Sequence, residues 1–309
     1  LSGVVVGLAA ESGSSRCHLL LPLVFGAPLG GNISIIGAPG NLMGVSALNE
    51  LGIETSFFEY LIVGGPMLLA GILYFALFGY KLLPKNSGAA SLEDDQFAVK
   101  DYSDVPKWKQ YMSLAVLVIA ILAMVFEKQI GIKLQVSASV GAIILILTGV
   151  ISEKEALKSI DLKTVFLFGG SLALATALEH TGAGSLIADT LIGAMGNEVH
   201  PLLLLVVIFV ITCTMTNFMS NTATTALMVP IAVSLAQGLG ADPRAVVIAT
   251  VIAGSCAYAT PIGMPANTMV VGIGGYKFID YVKAGLPLIL VSFIICMVIL
   301  PVAYPFFPA

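Results

Sequence analysis

Ile36-Gly37-Ala38-Pro39-Gly40-Asn41 returns 226 positions later as Ile262-Gly263-Met264-Pro265-Ala266-Asn267, and each copy sits in the middle of a long uncharged apolar run. Proline lacks a backbone donor and crowds the preceding turn, and glycine loosens that turn, so each run is expected to split into two half-helices at 36–41 and at 261–267. Further matches follow in the same order: Phe57, Glu59, Tyr60, Gly64 and Pro66 pair with Phe278, Asp280, Tyr281, Gly285 and Pro287 at an offset of 221. Break, connector and following span therefore recur, and an internal duplication explains them better than a chance echo. Paired interruptions of apolar segments are the sequence pointer to a transporter binding site.

Composition bounds the rest. With 58% hydrophobic residues, 10% charged residues and a mean hydropathy of +0.99, the 309 residues carry more apolar surface than a soluble domain can hide. A crossing helix needs about 20 apolar residues, which several runs reach, so an all-α, multi-span membrane protein is expected. Barrel strands would alternate apolar and polar at every second residue, and these runs do not. Cys17, Cys213, Cys256 and Cys296 are scattered through apolar segments at no metal-ligand spacing and read as small core residues. There is no His-Glu-x-x-His and no Gly-x-Ser-x-Gly, so no enzyme is expected. Gly272-Ile273-Gly274-Gly275 follows no strand and is no nucleotide loop, and neither a cofactor nor a nucleic-acid partner is expected. His18, His180 and His200 fall near span ends, where an interfacial place explains them.

Three regions follow from the polarity pattern. Residues 1–83 hold the first break and the span after it, 84–110 form a polar linker, and 111–309 hold the second repeat. Within the last, 201–241 lacks any charge and is too long for one crossing, 245–276 is the second broken helix, and 284–308 is an intact final span. Threading the chain through these spans puts eleven Lys and Arg on one side and three, Lys128, Lys133 and Arg244, on the other. The positive-inside rule then makes the linker cytoplasmic and places the C-terminus outside, in a bacterial inner membrane. The two breaks are entered from opposite sides, so the repeats are expected to be inverted, an architecture shared by many secondary transporters.

Polar chemistry concentrates in Thr216-Asn217-Phe218-Met219-Ser220-Asn221-Thr222-Ala223-Thr224-Thr225, at the centre of the uncharged 201–241 segment. A loop in cytoplasmic water would be expected to carry Lys or Arg, and this one has none, so the segment reads as a re-entrant hairpin. Hydroxyls and amides of Ser220, Asn221 and Thr222 can face a cation or an anion. Half-helix N-termini offer N–H groups and positive dipole ends to an anion, and C-terminal ends offer carbonyls to a cation. Neither Lys nor Arg lies near the breaks or the tip, so co-bound cations are expected to help neutralise an anionic guest. Asp and Glu are missing there too, which argues against a proton relay. Thr212, Thr214, Thr224 and Thr225 are expected to bond the carbonyl four residues earlier or to glue helices together, as hydroxyls in apolar helices do.

Ser220-Asn221-Thr222, followed by Gly263-Met264-Pro265-Ala266-Asn267, resembles the divalent anion/sodium symporter family of the ion transporter superfamily, and Phe168-Gly169-Gly170-Ser171-Leu172-Ala173-Leu174 is similar to that family's span before its second hairpin. The resemblance implies sodium-coupled transport of a small dicarboxylate or sulfate by a homodimer, with sodium as the coupling ion and no other cofactor. It implies that Ser220, Asn221 and Thr222 contact the substrate, that Pro39 and Pro265 line the pocket, and that Ala38 and Met264 sit beside them. It places sodium on Thr216, Met219, Asn221 and Gly263 in one site and on Gly37 in the other, with Asn41 and Asn267 completing the motifs. The chain departs from the pattern at Ala38 and Met264, where the family has Thr, and at Gly40 and Ala266, where it has a second Pro. Exchange of two anions on the same fold is the second reading, and an anion channel a more distant third. The 226 offset carries Ser220 to a position six residues before Leu1, so a first hairpin tip is expected upstream, and the chain by itself is not expected to transport.

Overall fold

The computed structural model describes residues 16–84, 105–160, 162–183 and 200–307, with Leu186, Thr190 and Gly193. Cys17's side chain, nearly all of the linker and the polar stretch around Asn197 fall outside the described residues. Among the described residues every regular element is a helix, as a multi-span α protein requires. In chain order these are α1 (Arg16–Gly31), α2 (Pro39–Glu50), α3 (Leu61–Leu77), α4 (Lys107–Val125), α5 (Glu127–Ile130), α6 (Leu134–Leu147) and α7 (Glu153–Lys158). Then follow α8 (Leu162–Thr181), α9 (Pro201–Thr216), α10 (Asn221–Gly238), α11 (Pro243–Ser255), α12 (Pro265–Gly274) and α13 (Phe278–Ala303). Helices α4 and α13 are by themselves long and apolar enough to cross a membrane. Several of the others are shorter apolar pieces.

The chain divides into two compact units, Leu1–Phe97 with Phe166–Ala309, and Ala98–Val165. In the smaller unit, α4 packs on α6, and Gly141 meets Val116 and Ala120 at ordinary contact distance. The short helix α7 opens with a capping box in which Ser152 and Glu155 exchange hydrogen bonds. The Ser152 hydroxyl holds the Glu155 carboxyl below its usual range.

The larger unit is organised by its two breaks. Helix α1 stops at Gly31 and α2 starts at Pro39; α11 stops at Ser255 and α12 starts at Pro265. The interruptions therefore cover 32–38 and 256–264, several residues earlier than the 36–41 and 261–267 that the motif suggests. The reason lies in the prolines: each opens the second half-helix, where its missing N–H costs nothing and its fixed φ suits the helix. Pro22, Pro28, Pro66, Pro230 and Pro287 meanwhile sit inside continuous helices. Proline alone does not break these rods.

A side-chain frame does. Asn41 Nδ2 donates to the carbonyls of Gly31 at 2.9 Å and Ser34 at 2.7 Å. At the same offset, Asn267 Nδ2 donates to Ala257 at 2.7 Å and Thr260 at 2.8 Å. These are orphan carbonyls at and beyond the end of the first half-helix, which have no water to turn to in a bilayer. Each asparagine is in turn held from behind: Tyr60 Oη donates to Asn41 O at 3.0 Å, and Tyr281 Oη to Asn267 O at 2.7 Å. Next, α3 and α13 press on the breaks through glycine. A methyl at Gly64 would overlap the Asn32 carbonyl oxygen, and one at Gly285 would overlap that of Tyr258. All these residues pair between the copies at the offsets read from sequence.

Further contacts gather the helix ends into two clusters. Tyr304 Oη donates to Glu59 Oε1 at 2.9 Å, the Arg244 guanidinium lies over the Tyr304 ring, and Asp242 N donates to Phe306 O at 2.7 Å. Around the other ends, Leu21 N donates to Tyr276 Oη at 3.0 Å and Tyr74 Oη to Ala284 O at 2.8 Å. The first cluster gathers the ends near Arg244; the second gathers those near Arg16, Lys81, Lys277 and Lys283.

Candidate functional site

Helices α9 and α10 form a hairpin whose tip is Asn217–Ser220, and both pack against α11. Asn217 pins the tip to the second break. Its Nδ2 donates to Cys213 O at 2.7 Å and Cys256 O at 3.1 Å, and its Oδ1 accepts from Ala259 N at 2.9 Å. Its own carbonyl accepts from Thr260 Oγ1, whose oxygen in turn accepts from Gly263 N at 3.0 Å. Every polar group of this buried asparagine's side chain is paired, so the tip has a fixed place against the break.

Beside that pin lies a cluster of oxygens. Thr216 Oγ1 is 2.8 Å from Asn221 Oδ1 and 2.5 Å from the carbonyl oxygen of Gly254, at the C-terminal end of α11. Gly263 closes the group, since a methyl there would lie 3.2 Å from Thr216 O and against Ala257 Cβ. The threonine hydroxyl has one proton and faces two acceptors. The amide of Asn221 can turn its NH2 to Thr216 and supply the second hydrogen, so the group can pair internally or present its oxygens to a cation.

The N-terminal ends of α2 and α10 lie at the same level. Gly40 of α2 meets Thr225 in the first turns of α10, and Gly44 meets Val251 and Val247 of α11. Since α11 climbs toward the tip while α10 leaves it, α2 and α10 run parallel, with their positive dipole ends side by side. Ser220 caps α10 by accepting from Ala223 N at 3.2 Å, whereas the N-cap of α2, Ala38, makes no side-chain cap. Pro39 and Pro265 are exposed at the starts of their half-helices, Met264 is buried, and Gly37 is packed against Gly31 O.

The structure therefore brings Thr216, Asn221 and Gly263 together, and joins α2's first turn to α10's through Gly40. Met219 is exposed on the tip and its amide folds back to Met215 O at 2.8 Å, so no hydrogen bond among the described residues ties it to the Thr216 cluster. Gly37, Ala38 and Pro39 likewise make no hydrogen bond to the Asn217–Ser220 tip among the described residues. Thr214 and Thr225 bond the carbonyls four residues earlier at 2.7 and 2.9 Å, as expected. Thr212 and Thr224 do not: their hydroxyls are buried without a partner. Sequence reading placed Asn217 in the polar string without a role of its own and singled out neither Thr260 nor Gly254; a threonine in apolar surroundings was the available signal for the one, and the other carried none. Cys213, Cys256 and Cys296 are buried free thiols, consistent with their reading as core residues.

A family model described as citrate transporter matches residues 2–253. The chain belongs to the citrate transporter family. Within and around it, an uncharacterised transporter of Haemophilus influenzae is 30% identical over 94% of this chain and 65% of its own length. Escherichia coli YfbS, also an uncharacterised transporter, is 36% identical over 50% of this chain and 25% of its own length. The sodium-dependent dicarboxylate transporter SdcS of Staphylococcus aureus is 27% identical over 93% of this chain and 58% of its own length. The chain spans from a quarter to about two thirds of the length of these relatives. The family and these relatives are transporters.

Proposed function

We propose that the protein is a sodium-coupled secondary carrier of a small divalent anion, a dicarboxylate or sulfate, in a bacterial inner membrane. It stands with the divalent anion/sodium symporters. The observation that carries this reading is the convergence of the Thr216 hydroxyl, the Asn221 side chain and the Gly254 carbonyl in one uncharged corner. Sodium would take those oxygens, with the Thr216 carbonyl near Gly263 as a further ligand. The N-terminal ends of α2, α10 and α12 would hold the anion through N–H groups and dipoles, with Ser220, Asn221 and Thr222 in contact with it. No basic side chain is needed, and the cation supplies the missing positive charge. The similarity to SdcS supports both sodium coupling and a dicarboxylate guest.

In this reading the repeats are inverted, the 84–110 linker is cytoplasmic, the C-terminus is outside, and two copies form the working dimer. Access would alternate by moving the hairpin and the breaks against the intact spans.

Full-length protein in proteoliposomes tests the reading. Succinate or sulfate uptake is expected to require a sodium gradient and to be stimulated by substrate preloaded inside, as a carrier and not a channel demands. Asn221→Ala is expected to abolish sodium-dependent uptake while the protein folds. Thr216→Val, which keeps the shape and removes the hydroxyl, is expected to raise the half-saturating sodium concentration at least about tenfold, roughly 1.4 kcal/mol. Uptake indifferent to sodium in the unmodified protein would remove the proposal.

A further inference from the structure

We infer that Thr225 is a positioning residue that sets how closely the N-terminal ends of α2 and α10 approach, and through that spacing the affinity for the anion. This rests on the carrier reading above. Thr225 is 2% exposed, and its Oγ1 donates to Asn221 O at 2.9 Å, which fixes the rotamer of a side chain already stiff at χ1. In that rotamer it is a spacer between two glycines. A methyl at Gly254 of α11 would overlap Thr225 Oγ1. A methyl at Gly40 of α2 would lie 3.1 Å from Oγ1, 3.2 Å from Cγ2 and 3.4 Å from Cβ. Three backbones are thus held one threonine apart, with no slack on either side.

What this spacing controls follows from where Gly40 stands. It is the second residue of α2, directly after Pro39, in the turn whose N–H groups have no intrahelical partner. The field of a helix end fades within its first turn, and an N–H donor is useful to an anion only at about 2.7–3.2 Å. Pushing α2 outward by a fraction of a hydrogen-bond length therefore removes one of the three helix ends from a guest held by α10 and α12. The second copy supplies the contrast: the position equivalent to Gly40 is Ala266, which already carries a methyl. At this position of the second half-helix, only the first break has a glycine.

The test uses full-length protein in proteoliposomes with succinate and with sulfate as probes. Gly40→Ala is expected to raise KM for the transported probe about tenfold. Maximal rate and half-saturating sodium are expected to move less than about threefold, and thermal midpoint little, because alanine suits a helix better than glycine. Gly40→Ala combined with Thr225→Ala, which removes the atoms nearest the new methyl, is expected to bring KM back to within about threefold. Thr225→Val keeps the thickness and is expected to hold KM within about twofold. Thr225→Leu thickens the spacer from the other side, reads the same quantity should Gly40→Ala fold poorly, and is expected to raise KM as Gly40→Ala does. A KM unchanged in both Gly40→Ala and Thr225→Leu, while the unmodified protein transports with sodium, overturns the spacer and leaves the carrier intact. No sodium-driven uptake by the unmodified protein overturns both.

Discussion

The two breaks share a skeleton and differ in what fills it. Both withdraw a pair of carbonyls onto one asparagine amide, both hold that asparagine from behind with a tyrosine hydroxyl, and both admit a neighbouring span through a glycine. Beyond the skeleton they diverge. In the second break Thr260 takes the place of Ser34 and reaches the carbonyl of Asn217, so the break is tied to the hairpin tip. Where the first break has Asn32, with both amide atoms buried and unpaired, the second has Tyr258, whose ring packs 5.3 Å from that of Phe25. The lesson is that an interruption in a membrane helix is stabilised by backbone bookkeeping that tolerates little change, whereas the surrounding side chains are free to specialise.

The strongest way to break the comparison is through the glycines. Gly64→Ala and Gly285→Ala each drive a methyl into a backbone oxygen that cannot step aside. Each is expected to cost about 3 kcal/mol or more, with loss of the folded protein in a detergent thermal-shift measurement. If only one of the pair is damaged, the close approach is not a shared requirement. The asparagines come next. Asn41→Leu and Asn267→Leu each strand two carbonyls in an apolar setting, at about 2–3 kcal/mol of stability. Similar losses at both sites would confirm a common frame, and a loss confined to Asn267 would mean that the first break is held by other means. The smallest effect is expected from Tyr60→Phe and Tyr281→Phe, about 1 kcal/mol each, since one hydrogen bond is removed while ring packing stays. Matching shifts sharpen the duplication; a silent Tyr60→Phe beside a damaging Tyr281→Phe would mean that the hydroxyl bond holds only the second break.

Much of this skeleton was legible before any coordinates. The repeated motif and its second set of matches located Asn41, Asn267, Tyr60, Tyr281, Gly64 and Gly285, all of which the fold uses. The breaks themselves were misplaced toward the prolines, because a rule about proline inside helices was applied to prolines that begin them. Thr212 and Thr224 make no i−4 bond, and their hydroxyls are buried with no partner among the described residues. Gly254 was invisible in the sequence because it contributes only a carbonyl, which every residue has.

Sequence by itself determined that this chain lives in lipid, that two of its rods are interrupted, and that one uncharged hairpin concentrates the polar groups. Those conclusions follow from hydropathy and from recurrence, which are properties of residue order. Only the tertiary structure decided that Thr216, Asn221, Gly254 and Gly263 share one corner, and that α2 and α10 point the same end at it. Their separations along the chain run from five residues to nearly two hundred. Which of them meet is settled by how glycine and threonine let four helices approach, a matter of fractions of an ångström that residue order does not record.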